Sequence, residues 1–192
     1  MTLWLLALLF AADEAPRELP YYIAPCTKEA ALDSGCQEGD DQLAIYALEA
    51  WQKAGGGKLN LHRVKEPLAA RIQVIWASKF GGLYGEAEPV TINGKPGVRL
   101  AIRPVGRNVD DPLLRDVMVY LTVLHEAGHG LGLRHTREFA DIMYSFQYGG
   151  DLAEYFQRYR RKLGSRADFP KHSAITEADL RQLNAQLNAL LK

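Results

Sequence analysis

The sequence lacks an excess of charge of either sign, because 23 lysines and arginines stand against 23 aspartates and glutamates. A broad nucleic-acid interface needs an excess of Lys and Arg on one face, so this balance argues against nucleic acid as a partner. Internal repeats, low-complexity segments and linkers are also missing. At 192 residues, the chain is long enough for one domain with a proper core and rather short for two.

No apolar run in the sequence is long enough to span a membrane as a helix, which takes roughly 20 residues. Residues 3–12, LWLLALLFAA, form a shorter apolar run that suits the centre of a signal peptide. We therefore predict a signal peptide over residues 1–12 and a single domain over residues 13–192. The protein would be secreted (extracellular or periplasmic), with no membrane contact after signal removal. A buried N-terminal strand or helix is the alternative.

Cysteine is scarce, with only Cys26 and Cys36 present. Two cysteines alone cannot make a structural zinc site, which takes four ligands. In an exported chain, an even number of cysteines suggests a disulfide, which here would close the short loop over residues 27–35. Two free thiols are the alternative.

Apolar spacing and turn residues predict the order of the helices and strands. Residues 13–38 are rich in Pro, Gly, Ser and Asp, and we interpret them as an irregular lead-in to a helix capped by Asp40 or Asp41. The first predicted helix follows this cap and stops at Gly55. The other predicted helices cover a long stretch from 112 into the 125–129 region, 152–163 and 176–191. The predicted strands cover residues 59–64, 71–77 and 98–103, with a turn at 92–95. This order is typical of an α+β fold.

The segment 125–135, HEAGHGLGLRH, carries the strongest functional signal. His125 and His129 are four residues apart, so on a helix they share one face and can bind one metal ion. Zinc accepts neutral imidazole nitrogen as a ligand. Glu126 is displaced around the helix from both histidines, so we expect it to flank the metal as a general base rather than bind it.

His135 follows Gly132 by three residues, and a continuous helix would carry its side chain off the face of the other two histidines. Glycine adopts positive φ without a Cβ penalty, so Gly132 can end the helix and turn the chain back. His135 then becomes the third ligand. Three histidines leave a fourth position open, which is typical of catalytic rather than structural zinc sites.

This run matches HExxHxxGxxH, and the sequence therefore resembles the metzincin zinc peptidases. Residues 140–144, ADIMY, resemble the Met-turn of that family, and we use this name for them. The resemblance implies that Met143 packs beneath the three imidazoles without binding zinc. Because Tyr144 directly follows Met143, the turn is most similar to that of the matrixin branch. The astacin and serralysin branches place a zinc-binding tyrosine where Ser145 stands.

Two further segments resemble the matrixins. Residues 82–89, GLYGEAEP, resemble the edge strand that pairs with extended substrate. This implies substrate contacts at Leu83, Tyr84, Gly85 and Ala87. Residues 176–187 resemble the C-terminal helix of the family, and Thr176 with Asp179 also forms a capping-box pattern. The implied architecture is a metzincin-like zincin fold, with a twisted mixed sheet, a long active-site helix and a C-terminal helix.

Other segments depart from the matrixin pattern. Residues 149–172 are an additional stretch, so matrixin specificity is not transferred to this chain. Cys26 stands in Ala-Pro-Cys-Thr, unlike the Pro-Arg-Cys-Gly of the inhibitory matrixin propeptide, and a zinc-blocking thiolate is an alternative role for it. We interpret the basic run at residues 158–162, together with Tyr155 and Phe156, as a solvated amphipathic helix or a wall of the substrate cleft.

The sequence thus predicts a secreted zinc-dependent endopeptidase that acts on protein or peptide substrates. Zn²⁺ would be held by His125, His129 and His135, with Glu126 as general base. A non-catalytic or partner-dependent zinc-site binding protein and a specialised cell-wall peptide hydrolase are the alternatives. The oligomeric state is left open.

Overall fold

The computed structural model describes residues 15–78, 84–104 and 109–189, so the predicted signal peptide lies outside the described residues. The helices are α1 (Lys28–Ser34), α2 (Asp40–Ala54), α3 (Pro112–Gly130), α4 (Leu152–Arg160) and α5 (Glu177–Ala189). The strands are β1 (Arg17–Ile23), β2 (Leu59–Arg63), β3 (Ile72–Trp76), β4 (Gly85–Ile92) and β5 (Lys95–Ile102). Short 3₁₀ helices cover Pro67–Ala69, Phe146–Tyr148 and Arg166–Lys171. None of the described helices is long and apolar enough to cross a bilayer.

The five described strands form one sheet in the order β2-β1-β3-β5-β4. β1 pairs in parallel with β2 and β3, and β3 pairs in parallel with β5. β4 pairs with β5 in the antiparallel direction and lies at one edge. The expected mixed sheet is therefore present, but it is mostly parallel and combines with helices in a mixed α/β arrangement.

The interpretation of residues 13–38 as an irregular lead-in is wrong. β1 lies inside the sheet between β2 and β3, and α1 follows it. Leu19, Tyr21 and Ile23 alternate into the core, as expected of a strand. Pro20 is tolerated because its carbonyl accepts from the Arg71 N–H at 2.6 Å. Its nitrogen therefore faces the β3 side, where pairing begins only at Tyr21, so the missing N–H costs no ladder bond.

Helices α2 and α3 pack against each other, and α3 also contacts β4 and β5. Trp51 of α2 is fully buried and donates from Nε1 to the Leu124 carbonyl at 2.8 Å. This bond ties α2 to α3 one residue before His125. Neither Asp40 nor Asp41 caps α2 as predicted, because both lie in its first turn and Gly39 occupies the capping position. The Asp40 carboxylate instead accepts from the Gln37 N–H at 2.8 Å and from Arg115 of α3.

The turn predicted at residues 92–95 joins β4 and β5 into a hairpin. Asn93 and Gly94 have φ of 48° and 71°, and two positive φ values are typical of a two-residue hairpin turn. The hairpin register places Gly85 opposite Ile102. β4 therefore starts at the end of the hairpin farthest from the turn.

Cys26 and Cys36 form a disulfide with their Cα atoms 5.9 Å apart, which confirms the predicted pairing. A zinc-blocking role for Cys26 is excluded in this state because its sulfur is bonded to Cys36. The bridge encloses α1, whose first turn is capped by Thr27 Oγ1 accepting from the Ala30 N–H at 3.2 Å. The bridge holds the chain between β1 and α2.

Candidate metal centre and substrate cleft

Helix α3 carries two of the three predicted ligands and begins where the sequence predicts. Asp111 Oδ1 accepts from the N–H groups of Leu113 and Leu114 at 3.0 and 3.1 Å. Pro112 occupies the first turn, where its missing N–H costs no helical bond. Most of the helix after Arg115 is buried, so the core holds the turns that present His125 and His129 to the cleft.

The end of α3 follows the mechanism expected for Gly132. The helix ends at Gly130, and Gly132 has φ of 92°. Its N–H donates to the His129 carbonyl at 2.9 Å, and the Leu133 N–H donates to the Gly128 carbonyl at 3.0 Å. These two bonds form a Schellman motif, which ends a helix and redirects the chain.

The turn at Gly132 returns His135 to the two histidines of α3. His135 Nε2 lies 3.2 Å from His125 Nε2 and 3.1 Å from His129 Nε2. Among the described residues, these three form the group of His, Cys, Asp or Glu side chains whose ligand atoms are close enough to share one metal ion. Three imidazole nitrogens that converge in this way are the donor set of a catalytic zinc site.

Backbone carbonyls fix the orientation of two of these rings. The Ile142 oxygen lies 2.6 Å from His125 Nδ1, and the Leu133 oxygen lies 3.0 Å from His129 Nδ1. Since a carbonyl oxygen only accepts, each Nδ1 carries the hydrogen and donates it. Each Nε2 lone pair therefore faces the centre, which is the tautomer that second-sphere carbonyls select in metal sites. The residues thus fit a zinc ion.

Burial favours the neutral, metal-binding form of the imidazoles. Desolvation lowers the pKa of His125 to about 4, although its bond to Ile142 opposes the shift. Desolvation and then the neighbouring His129 lower the pKa of His135. At neutral pH both rings are therefore deprotonated and available as ligands.

Glu126 lines the same cleft as the three histidines and is only 7% exposed. Burial, followed by the charge of Glu86, raises its pKa to about 7. The Ala87 N–H and the charge of Arg103 oppose this rise. A carboxylate with a pKa near neutrality both accepts and returns a proton readily at neutral pH.

Strand β4 passes α3 at a distance that leaves no room for a side chain at Gly85. A Cβ atom at this position would lie 2.7 Å from Glu126 Cγ and 2.6 Å from Thr122 Cγ2. Any larger residue would therefore displace Glu126 or lift the strand from the helix. Gly85, predicted as a substrate contact, also seats the edge strand beside Glu126.

Met143 is fully buried beneath α3. A Cβ atom at Gly128 would collide with Met143 Sδ and would lie 3.1 Å from Trp51 Cζ2. Because Gly128 lies between His125 and His129 in the helix, Met143 packs under the turn that carries both ligands.

A cavity of about 490 Å³ opens in front of the three histidines. Of the predicted substrate contacts, Tyr84, Gly85 and Ala87 line it, whereas Leu83 lies outside the described residues. The sequence suggested Tyr155 and Phe156 as one alternative for a wall of this cleft and did not identify its other apolar residues. That wall contains Leu121, Tyr144, Phe146, Tyr155 and Phe156. The aromatic face of α4 was visible as a helical pattern, but periodicity does not identify the surface that a face packs against.

The basic run at residues 158–162 makes contacts within the chain, and two of its four cations pair with carboxylates. The Arg158 guanidinium lies over the rings of Phe139 and Tyr155 and donates to the Ala140 carbonyl at 2.9 Å. Arg160 pairs with Asp111 at 2.8 Å, and Arg161 pairs with Glu154 at 2.5 Å. α4 is thus amphipathic, as predicted, and its aromatic face forms part of the cleft wall.

The comparisons with known proteins add little to this geometry. No protein-family model matches the sequence, and no curated protein matches it. Among solved structures, the chain is similar to archaemetzincin from Methanopyrus kandleri, with 12% identity and a TM-score of 0.45 over 93% of this chain and 99% of that one. At a TM-score below 0.5, family and function have to be argued from the residues of this chain.

Proposed function

We propose that this protein is a secreted zinc-dependent endopeptidase of the metzincin type, similar to the matrixins, with one catalytic domain over residues 13–192. The observation that carries the proposal is the convergence of three histidine Nε2 atoms at a cleft that Glu126 also lines. Three protein ligands leave a coordination position open for substrate chemistry. A carboxylate on the same cleft supplies the base that a purely structural metal site does not need.

His125, His129 and His135 would hold the zinc ion. A bound zinc ion polarises a peptide carbonyl and makes water a stronger acid. The carbonyls of Ile142 and Leu133 hold two of the rings with Nε2 toward the centre, at 2.6 and 3.0 Å from Nδ1. Met143 supports the turn of α3 between these two ligands.

Glu126 would act as the general base. Its carboxylate takes a proton from the water molecule whose oxygen attacks the scissile carbonyl carbon, and then gives that proton to the leaving amine nitrogen. The pKa of about 7 that results from burial suits both transfers near neutral pH. Because Gly85 has no side chain, the Glu126 carboxylate keeps its place beside β4 without a steric clash.

The substrate would bind as an extended peptide along β4. This strand is last in the described sheet order, so its outer backbone groups have no strand neighbour. A peptide added there forms main-chain hydrogen bonds with modest sequence preference. Tyr84, Gly85 and Ala87, together with Leu83, would contact its backbone, and the aromatic wall around Phe156 suits an apolar side chain.

Secretion is supported by two features of the chain. Residues 3–12 have the apolar composition of a signal-peptide core. The disulfide between Cys26 and Cys36 belongs to a type of bond that persists in oxidising compartments. Secretion can be tested by finding whether the native host exports the protein and whether the exported chain begins near residue 13.

The activity is tested with the chain from residue 13 onward, which contains every described residue. The zinc-loaded protein is incubated with a mixed peptide library, and mass spectrometry identifies the cleavage products. Cuts that disappear after chelation and return with zinc are expected, and they also reveal the subsite preference. If zinc binds but no peptide is cut, the endopeptidase proposal fails. A parallel assay for muropeptide release then separates wall-peptide hydrolysis from a non-catalytic binding role.

A further inference from the structure

The carboxylate of Asp179, in the first turn of α5, is fully buried and accepts hydrogen bonds from two different parts of the chain. Locally, Oδ2 accepts from the Thr176 N–H at 2.9 Å. The Thr176 hydroxyl lies 2.8 Å from the same oxygen and 2.7 Å from Asp141 Oδ1, so its single hydrogen is shared between these two acceptors. Across the fold, Oδ2 accepts from the Ile142 N–H at 3.0 Å and Oδ1 from the Met143 N–H at 3.3 Å. One side chain thus joins the start of α5 to the Met-turn.

The other backbone groups of the same two Met-turn residues reach the metal centre. The Ile142 carbonyl accepts from Nδ1 of His125 at 2.6 Å. The Met143 carbonyl accepts at 2.8 Å from the N–H of Thr136, the residue directly after His135. Asp179 therefore holds the N–H groups of two residues whose carbonyls position two of the three ligands. The third ligand, His129, is oriented separately by the Leu133 carbonyl.

We propose that Asp179 is a positioning residue of the metal centre, acting on His125 and His135 through the Met-turn. The inference rests on the proposed zinc site and does not depend on peptidase activity. A carboxylate is needed because N–H donors meet both of its oxygens, that of Met143 at Oδ1 and those of Ile142 and Thr176 at Oδ2, and an asparagine has only one acceptor oxygen. With asparagine, an amide NH₂ would meet an N–H donor, so the turn would shift and loosen its hold on His125.

Asp40 provides a matched control inside the same chain. It is also fully buried, lies in the first turn of a helix and accepts a backbone N–H, that of Gln37 at 2.8 Å. Its other partner is Arg115, near the opposite end of α3 from the histidines. Asp40→Asn therefore perturbs a buried carboxylate of equal exposure without touching the Met-turn.

The test measures zinc affinity in the full chain by competition with a chromogenic chelator, with thermal unfolding followed in parallel. Loss of a partner outside the ligand shell costs about 10–100-fold in metal affinity, and we expect Asp179→Asn to weaken zinc binding by about tenfold. Asp40→Asn should lower thermal stability while zinc affinity stays within about twofold of the native value. Equal losses of affinity in both variants would overturn the proposal, as would native affinity in Asp179→Asn.

A second pair of variants covers the case in which Asp179→Asn does not fold. Thr176→Val removes the hydroxyl that lies between Asp179 and Asp141 of the Met-turn, whereas Thr176→Ser retains it. We expect weaker zinc binding in the valine variant and native affinity in the serine variant, and equal affinity in both would contradict the inference. If the native chain and His129→Ala bind zinc equally, the metal centre itself fails. If the native chain binds zinc tightly and Asp179→Asn binds it equally well, the positioning role of Asp179 is wrong but the metal centre stands.

Discussion

The two ends of helix α3 bury polar side chains in opposite ways. Near the N-terminal end, Arg115 is 3% exposed and donates to the fully buried Asp40 at 2.6 Å. At the C-terminal end, the Nε2 atoms of His125 and His129 lie 3.2 and 3.1 Å from that of His135. The first cluster matches opposite charges, whereas the second directs like groups toward one another.

This difference separates a structural cluster from a ligand site. A buried guanidinium and carboxylate satisfy each other, and removing either leaves an uncompensated buried charge. Three imidazoles whose Nε2 atoms converge on a common point can be satisfied by a cation instead. At the C-terminal end, burial raises the pKa of the Glu126 carboxylate to about 7. At the N-terminal end, Arg166 extends the ionic cluster by pairing with Asp116 at 2.6 Å. Perturbed groups gathered in a cleft indicate a functional site.

The largest effect is expected at the C-terminal end of α3. Glu126→Ala should lower peptide hydrolysis by about 10²–10⁴-fold, the usual contribution of a general base, while one zinc ion per chain is retained. Hydrolysis of a library-derived peptide and metal analysis after dialysis measure the two quantities. Glu154→Ala, an exposed glutamate on α4, is the control and should leave the rate unchanged. Loss of zinc from Glu126→Ala would count against the assignment of Glu126 as a base.

The next largest effect is expected at the N-terminal end of α3, where substitution lowers the stability of the fold. Arg115→Met removes the guanidinium from the fully buried Asp40 and should lower the free energy of unfolding by about 3–5 kcal/mol. Urea denaturation checks this value. The exposed pair of Arg161 and Glu154 supplies the control, because Arg161→Met should change stability little. If Arg115→Met greatly lowers zinc affinity under conditions in which the variant is fully folded, the two ends of α3 are not independent.

The smallest effect concerns the pH dependence of the 3₁₀ helix that carries Arg166. Lys171 and the N–H groups of Gly164 and Ser165 lower the pKa of Asp168 from 3.8 to about 2. A lowered pKa means that the carboxylate stabilises the folded state above pH ~4 and that this contribution is lost as pH falls toward 2. The melting temperatures of native protein and Asp168→Asn should therefore differ slightly at pH 5 and converge near pH 2. A difference that grows on acidification would reverse the assigned sign.

Much of the fold from residue 40 onward was predictable, because its signals are local. The Asp111-Pro112 start of α3, the Asn93-Gly94 turn and the end of α3 at Gly132 each depend on the conformational preferences of one or two residues. β1 was missed for the opposite reason. Its strand character depends on β2 and β3, which lie far along the chain. Pro20 and the charged residues Arg17 and Glu18 obscured the alternation of its buried residues.

The sequence alone determined which three histidines converge, because a helical period and one glycine in HEAGHGLGLRH are enough to predict that convergence. Only the tertiary structure decided what surrounds them. Part of the aromatic wall comes from α4, a segment whose packing partner no periodicity could identify. Asp179 shows the distinction most clearly. Its pairing with Thr176 was predictable from the three-residue spacing, whereas its bonds to the Met-turn cross 36 and 37 residues and depend on how α5 packs against the rest of the fold.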